Sequence, residues 1–217
     1  MKSGKNGIMV KVKVCGLKDP DNIRKICDAG IDFAGFVFYR ESPRFAGTNP
    51  DPVIFNCIPD TIGKVGVFVN ETPDKIIEIA ETFGLDIIQL HGNEDFSYCE
   101  KIKMSGLKVI KAFRIGEEID PDTVNTFSDV CDFFLFDTGG KLYGGSGIKF
   151  NWELLNGIRL EKPFFLSGGI DPGDIQELKK INNNMFFAVD INSRFEISPG
   201  IKDFEKVKMF TGQIKKL

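Results

Sequence analysis

Apolar and polar residues along this chain alternate between two rhythms. Short runs of valine, isoleucine and phenylalanine, bounded by glycine or polar turns, read as buried strands. Segments with apolar residues at every third or fourth position read as amphipathic helices. Val10 to Val14 alternates valine with lysine and runs into Cys15-Gly16, after which Asp19-Pro20 caps a helix through Ile23, Ile26 and Cys27 to Gly30. Phe33 to Phe38 is a second strand, followed by the polar, basic loop Tyr39 to Arg44, and Pro52 to Ile58 is a weaker helix interrupted by prolines. The unit then repeats more clearly. Lys64 to Val69 is a strand, and Thr72-Pro73-Asp74 starts a helix carrying Ile76, Ile77, Ile79, Ala80 and Phe83, which Gly84 stops. Asp86 to Leu90 is a strand ending in His91-Gly92, and Glu94 to Met104 is the next helix. Leu107 to Phe113 is a fifth strand, ending near Arg114, and the stretch to Phe127 holds a poorly defined helix.

The sixth strand has the sharpest form. Phe133 to Phe136 is wholly apolar, carries Asp137 at its end, and opens into a loop with Gly139, Gly140, Gly144, Gly145 and Gly147. Asn151 to Ile158 reads as a short helix, and Pro163 to Leu166 as a strand running into Ser167-Gly168-Gly169. Asp171-Pro172 caps a helix reaching Lys180, Met185 to Ile191 is an eighth strand, and Phe204 to Phe210 is the last helical pattern. Eight strand and helix pairs in about 200 residues is the smallest size of a closed (β/α)8 TIM barrel. The expectation is therefore one barrel domain over residues 1–217, with 1–8 an N-terminal extension. An open doubly wound sheet is the alternative, but it would normally carry GxGxxG after its first strand, where this chain has Val-Cys-Gly-Leu.

Composition narrows the chemistry. The net charge of −3 arises from 28 basic and 31 acidic residues spread along the chain, which provides no field for nucleic acid. The 5 cysteines form an odd set without paired spacing, so neither a disulfide framework nor a zinc cluster is expected, and reducing cytoplasm is the natural setting. A single histidine, His91, excludes an imidazole-rich metal site. No segment approaches the roughly 20 apolar residues of a membrane span.

In a barrel the strand ends converge on one face, so Cys15, Arg44, His91, Asp137, Ser167-Gly168-Gly169 and Asp190 to Ser193 can meet there. The glycine-rich and small loops of the last third suit a phosphate, held by backbone N–H groups. Tight turns alone are the plainer explanation of those glycines. Cys15 is open to two readings, a buried structural thiol or a thiolate that removes a carbon-bound proton. Asp137 either caps an Asp-Thr-Gly turn or, protonated, gives a proton to an oxygen across the site. Arg44 is either a solvated charge or the bidentate partner of a carboxylate. Together such groups suit an isomerisation without cofactor or metal.

The chain resembles the phosphoribosylanthranilate isomerase family of tryptophan biosynthesis along nearly its whole length. The resemblance is carried by KVCGL at 13–17, GFVF at 35–38, SPR at 42–44, VGVFVN at 65–70, QLHG at 89–92, LFDT at 135–138, GGSG at 144–147, FLSGGI at 165–170, VDINS at 189–193 and PGIKD at 199–203. It implies a (β/α)8 barrel that converts N-(5-phosphoribosyl)anthranilate into 1-(2-carboxyphenylamino)-1-deoxyribulose 5-phosphate, an Amadori rearrangement by acid–base catalysis. Asp137 would be the general acid and Cys15 the general base. Arg44, His91 and Asp190 would bind substrate, Arg44 gripping the anthranilate carboxylate and Asp190 contacting sugar hydroxyls. Gly145, Ser146 and Gly147, Gly168 and Gly169, and Asn192 and Ser193 would hold the phosphate. The implied protein is cytoplasmic, a monomer or homodimer acting on a small phosphorylated substrate. Two positions depart from the family pattern: Arg194 stands where glycine is common, so no positive φ is expected there, and Asn151 replaces a commoner aspartate. Rival functions are a sugar-phosphate epimerase, which needs metal-binding histidines, indole-glycerol-phosphate synthase, which needs a catalytic lysine, and a noncatalytic phosphate-binding barrel.

Overall fold

A computed structural model describes residues 9–139 and 149–216; the expected extension at 1–8 lies outside the described residues. Parallel strands β1 (Lys11–Val14), β2 (Phe33–Val37), β3 (Gly63–Phe68), β4 (Ile87–Leu90), β5 (Lys108–Ile115), β6 (Phe133–Thr138), β7 (Phe164–Leu166) and β8 (Phe186–Ile191) close in chain order into a barrel. The seam pairs β1 with β8, from Lys11 opposite Ala188 to Val14 opposite Ile191. The (β/α)8 expectation is met. No helix among the described residues is long and apolar enough to cross a membrane.

Helices α1 (Pro20–Cys27), α2 (Val53–Asn56), α3 (Pro73–Phe83), α4 (Phe96–Met104), α5 (Pro121–Asn125), α6 (Ile175–Leu178) and α7 (Phe204–Ile214) lie between and after the strands. Their starts are written in aspartates. Asp19, Asp95 and Asp203 accept from the N–H groups of Asn22, Tyr98 and Lys206 at 2.7, 2.9 and 3.2 Å, satisfying otherwise orphaned donors. The last third is less helical than the spacing predicts. Asn151 to Ile158 contains only a 3-10 turn, Trp152–Asn156, which Asn151 caps by accepting from the Glu153 N–H at 3.0 Å. The expected helix to Lys180 is a short 3-10 turn, Pro172–Asp174, followed by α6. An antiparallel hairpin that the hydrophobic pattern does not announce, β9 (Glu196–Ser198) and β10 (Ile201–Lys202), stands between β8 and α7.

Side chains of a strand alternate faces, so in a barrel each strand supplies one set to the interior and one to the helices. Phe33, Val65, Ile87, Ile110, Ala112, Leu135, Phe165 and Ala188 pack together inside, while Val12, Val14, Phe36, Ile88, Phe134, Phe136, Leu166 and Val189 join the larger cluster beneath the helices. The rings of Phe33, Phe133, Phe165 and Phe187 form the floor, with Phe133 and Phe187 stacked at 4.9 Å and Phe33 edge-on to Phe165 at 5.5 Å. Strand β8 breaks the alternation once. Phe164 pairs with Phe186 and Phe165 with Ala188, so Phe187 is an extra residue, a bulge. Phe187 and Ala188 both join the interior, and the phase that follows turns Asp190 inward too. Replacing the fully buried Phe165 by alanine should cost about 3–5 kcal/mol in urea unfolding; a loss under about 1 kcal/mol would mean that the floor collapses to fill the space.

Candidate active site

Toward the strand ends the same alternation brings chemically active side chains to the mouth. Lys13 and Cys15 come from β1 and its end, Gln89 and His91 from β4 and its end, Asp137 from β6 and Asp190 from β8. All four expected groups Cys15, His91, Asp137 and Asp190 thus converge, and they do so in two coupled sets.

The first set spans the seam. Lys13 is fully buried and its Nζ donates to Asp190 Oδ2 at 2.8 Å. The other carboxylate oxygen of Asp190, Oδ1, is buried with no hydrogen-bond partner among the described residues. Such an orphan is costly unless something else satisfies it. Lys13 and Cys15 lie over the bare face of Gly35, where a Cβ would stand 3.1 Å from the Cys15 Sγ and 3.2 Å from the Lys13 Cε. Burial pushes the Cys15 thiol above its ordinary value of 9.0. Lys13 is the largest influence in the opposite direction, Lys202 adds to it, and Asp190 opposes it. Burial also raises the Asp190 carboxyl, against the pull of Lys13. For Lys13 burial disfavours the ammonium, but Asp190 and Cys15 outweigh that and hold it above its ordinary value.

The second set lies across the mouth. Gln89 Nε2 is 2.8 Å from His91 Nδ1, and His91 Nε2 is 3.0 Å from Asp137 Oδ2. The Gln89 amide fits either way round: as a donor it leaves the ring proton on Nε2 facing a carboxylate, and as an acceptor it satisfies its own buried Oε1 and leaves Nε2 to accept from a protonated Asp137. The Thr138 N–H donates to Asp137 Oδ1 at 2.9 Å. The His91 loop is itself fixed from below. Glu94 is buried against Lys111 at 2.8 Å and accepts from the Gly92 N–H at 2.9 Å and from the Asn70 N–H at 2.9 Å. Asp137 is thus a held group at a buried strand end.

Of the loops expected to take a phosphate, Gly145, Ser146 and Gly147 lie outside the described residues. Gly168 and Gly169 follow β7 with φ of 91° and 69°. At Gly168 a side chain is doubly barred, since a Cβ would also sit 2.4 Å from Thr138 Oγ1 and 2.8 Å from Asp137 Oδ1. Asn192 follows β8, its Oδ1 accepting from Lys202 Nζ at 2.6 Å, and Ser193 opens a 3-10 turn. Arg194 is exposed, and the residue other than glycine that has a positive φ among those described is Asn70. Arg44 is not a free guanidinium. Its Nε and Nη2 donate to Glu196 at 2.9 and 2.7 Å.

Lys13, Gln89, Glu196 and Lys202 are absent from the sequence-based set. Lys13 and Gln89 carry a signal, since each precedes an expected site residue, Cys15 or His91, by one alternation of the same strand.

A (β/α)8 barrel with a thiol–ammonium–carboxylate set and an imidazole–carboxylate pair at its C-terminal mouth belongs to the class of barrel enzymes, which keep their active sites there. The comparisons name the family. Residues 12–213 match the model described as N-(5'phosphoribosyl)anthranilate (PRA) isomerase, and the chain belongs to that family. An N-(5'-phosphoribosyl)anthranilate isomerase from Phocaeicola vulgatus is 43% identical, over 94% of this chain and 97% of that one. The crystal structure of phosphoribosyl anthranilate isomerase from Thermotoga maritima matches with a TM-score of 0.84 and 35% identity, over 96% of this chain and 100% of that one. A further crystal structure of a phosphoribosyl anthranilate isomerase, in complex with reduced 1-(o-carboxyphenylamino)-1-deoxyribulose 5-phosphate, matches with a TM-score of 0.81 and 33% identity, over 96% of this chain and 100% of that one.

Breaking the buried pair leaves Asp190 uncompensated, so Lys13→Met should cost about 3–5 kcal/mol in urea unfolding. It should also push the Cys15 thiol further up, seen as slower alkylation of Cys15 by iodoacetamide at fixed pH in peptide mass spectrometry. An unchanged rate at Cys15 would show that Lys13 does not bear on its ionisation.

Proposed function

We propose that this chain isomerises N-(5-phosphoribosyl)anthranilate to 1-(2-carboxyphenylamino)-1-deoxyribulose 5-phosphate with Cys15 as base and Asp137 as acid. The observation that carries the reading is the convergence of a thiol beside a buried ammonium and a carboxylate beside an imidazole at one mouth. An aldose–ketose rearrangement needs both, one to take a proton from carbon and one to give a proton to oxygen.

Protonated Asp137 gives its proton to the furanose ring oxygen. The bond from C1′ to that oxygen breaks, and the nitrogen lone pair forms the Schiff base. The Cys15 thiolate then takes the proton from C2′, and the electron pair moves through C1′ to neutralise the nitrogen. The resulting enolamine loses its hydroxyl proton and gains one at C1′, which yields the ketone and returns both groups to their starting states. His91 Nε2 hydrogen-bonds Asp137 Oδ2 and keeps that carboxyl aimed. Lys13 lessens the penalty that burial places on the thiolate, and the thiol stays above its ordinary value.

The remaining groups bind. Arg44 faces the anthranilate carboxylate and Asp190, with one oxygen unspent on Lys13, accepts from a sugar hydroxyl. Gly168, Gly169, Asn192 and Ser193, with Gly145, Ser146 and Gly147, hold the phosphate. The reduced 1-(o-carboxyphenylamino)-1-deoxyribulose 5-phosphate in complex with the solved relative carries a carboxylate and a phosphate of this kind. On this reading the chain works in the cytoplasm on a small phosphorylated substrate, as a monomer or homodimer, without cofactor.

The test uses substrate made in situ from anthranilate and phosphoribosyl pyrophosphate by the preceding transferase, and follows loss of substrate fluorescence. Cys15→Ser and Asp137→Asn should each lower kcat by about 10²–10⁴ while the protein stays folded. Near-normal turnover in either removes that residue from its role. Binding of phosphate without turnover in the unaltered chain would favour a noncatalytic barrel instead. Arg44→Ala should raise KM by about tenfold or more with a smaller effect on kcat; unchanged constants would dismiss the clamp.

A further inference from the structure

We propose that Glu196 and Lys202, on the β9–β10 hairpin, are positioning residues that hold the Arg44 fork in place for the substrate carboxylate. The proposal rests on Arg44 acting as the carboxylate clamp.

Arg44 comes from the loop after β2, far in sequence from the hairpin, and its stem lies across Gly16 beside Cys15. A guanidinium has five N–H donors on three edges. Glu196 takes one edge: Nε donates to Oε1 at 2.9 Å and to Oε2 at 3.1 Å, and Nη2 donates to Oε2 at 2.7 Å. That bidentate grip fixes the plane of the group and leaves the end-on edge, Nη1 and Nη2, as a second fork for another carboxylate. A long flexible side chain is thereby immobilised before substrate arrives, which lowers the entropic cost of binding.

Glu196 is itself held. Its side chain is 5% exposed, that of Lys202 is fully buried, and Lys202 Nζ donates to Glu196 Oε1 at 2.7 Å. The Gly200 N–H donates to the same oxygen at 3.0 Å. Burial would raise the Glu196 carboxyl, but Arg44, Lys202 and Gly200 hold it below its ordinary range, so it stays ionised. The backbone of Lys202 is tied to α1 in both directions, its N–H donating to Asn22 Oδ1 and its C=O accepting from Asn22 Nδ2, each at 2.8 Å. Arg44 and Lys202 share this one carboxylate, and burial pushes the Lys202 ammonium below its ordinary value against the pull of Glu196. Lys202 also donates to Asn192 at 2.6 Å, which joins the clamp to one of the loops proposed to hold phosphate.

A merely structural Glu196 would weaken every ligand alike, whereas a positioning Glu196 weakens only ligands that carry the carboxylate. Titration calorimetry would compare the reduced carboxyphenylamino-deoxyribulose phosphate with the phenylamino analogue that lacks the carboxylate. Glu196→Gln should weaken the first by about tenfold or more and leave the second within about twofold. Arg44→Ala should discriminate in the same way, and the double variant should be no worse than Arg44→Ala alone. Equal losses for both ligands, or none, in Glu196→Gln while Arg44→Ala discriminates would overturn the positioning role alone. No discrimination by Arg44→Ala would overturn the clamp and the positioning role together. Should Glu196→Gln not fold, Glu196→Asp, which keeps the charge and shortens the reach, is judged by the same comparison.

Discussion

A buried ion pair closes the barrel seam. Lys13 and Asp190 sit opposite one another where β1 meets β8, and taking two such charges out of water costs several kcal/mol per ion. Packed apolar residues would join the strands at least as stably. What the pair supplies is a fixed field inside a closed sheet, and the next inward position of β1 is Cys15. The seam that completes the architecture is therefore also the place where a thiol is buried beside an ammonium. Floor, middle layer and mouth follow from the same alternation, with aromatic rings below, aliphatic side chains between and ionisable groups above.

The mouth is divided by position. The thiol side draws on the first and last strands and the imidazole–carboxylate side on the fourth and sixth, and buried ion pairs stand beside the His91 loop and Arg44. Lys111 and Glu94 brace His91 from beneath; Glu196 and Lys202 brace Arg44 from the side. Every brace is a buried charge pair, which falls off less with ionic strength than a surface pair. Residues meant to meet in one narrow geometry are thus held by interactions that solvent conditions disturb little.

The strands, their order and most helix starts were legible because apolar runs and aspartate caps are local signals. Cys15, His91, Asp137 and Asp190 were legible because each ends a strand in a fold that gathers strand ends. The shortened helices after β6 and β7 were not, since Asn151 to Ile158 and the stretch to Lys180 have helical spacing but stop as 3-10 turns or a single α-turn. The hairpin Glu196 to Lys202 was missed because its strands are too short to show a period. The bracing network was the least legible part. Lysine in Lys11-Val12-Lys13-Val14 looks like the wet face of an edge strand, and only closure of the barrel turns Lys13 inward, where Asp190 makes burial tolerable. Arg44 looked like a lone cation for the same reason: its partner lies at the other end of the chain.

The bulge at Phe187 has a further consequence. On β1, β2 and β6 an even number of steps separates the floor from the mouth, as from Lys11 to Cys15, Phe33 to Val37 and Phe133 to Asp137; on β8 the step from Phe187 to Asp190 is odd. One surplus residue thus lets a single strand serve an aromatic plug and a carboxylate that strict alternation would send to opposite faces. Insertions and deletions in barrel strands are commonly regarded as damage to register. In β8 the surplus residue is passed before the pairing with β1 begins at Ala188, so the strand gives Phe187 to the floor and still meets Lys13 with Asp190 in an unbroken register.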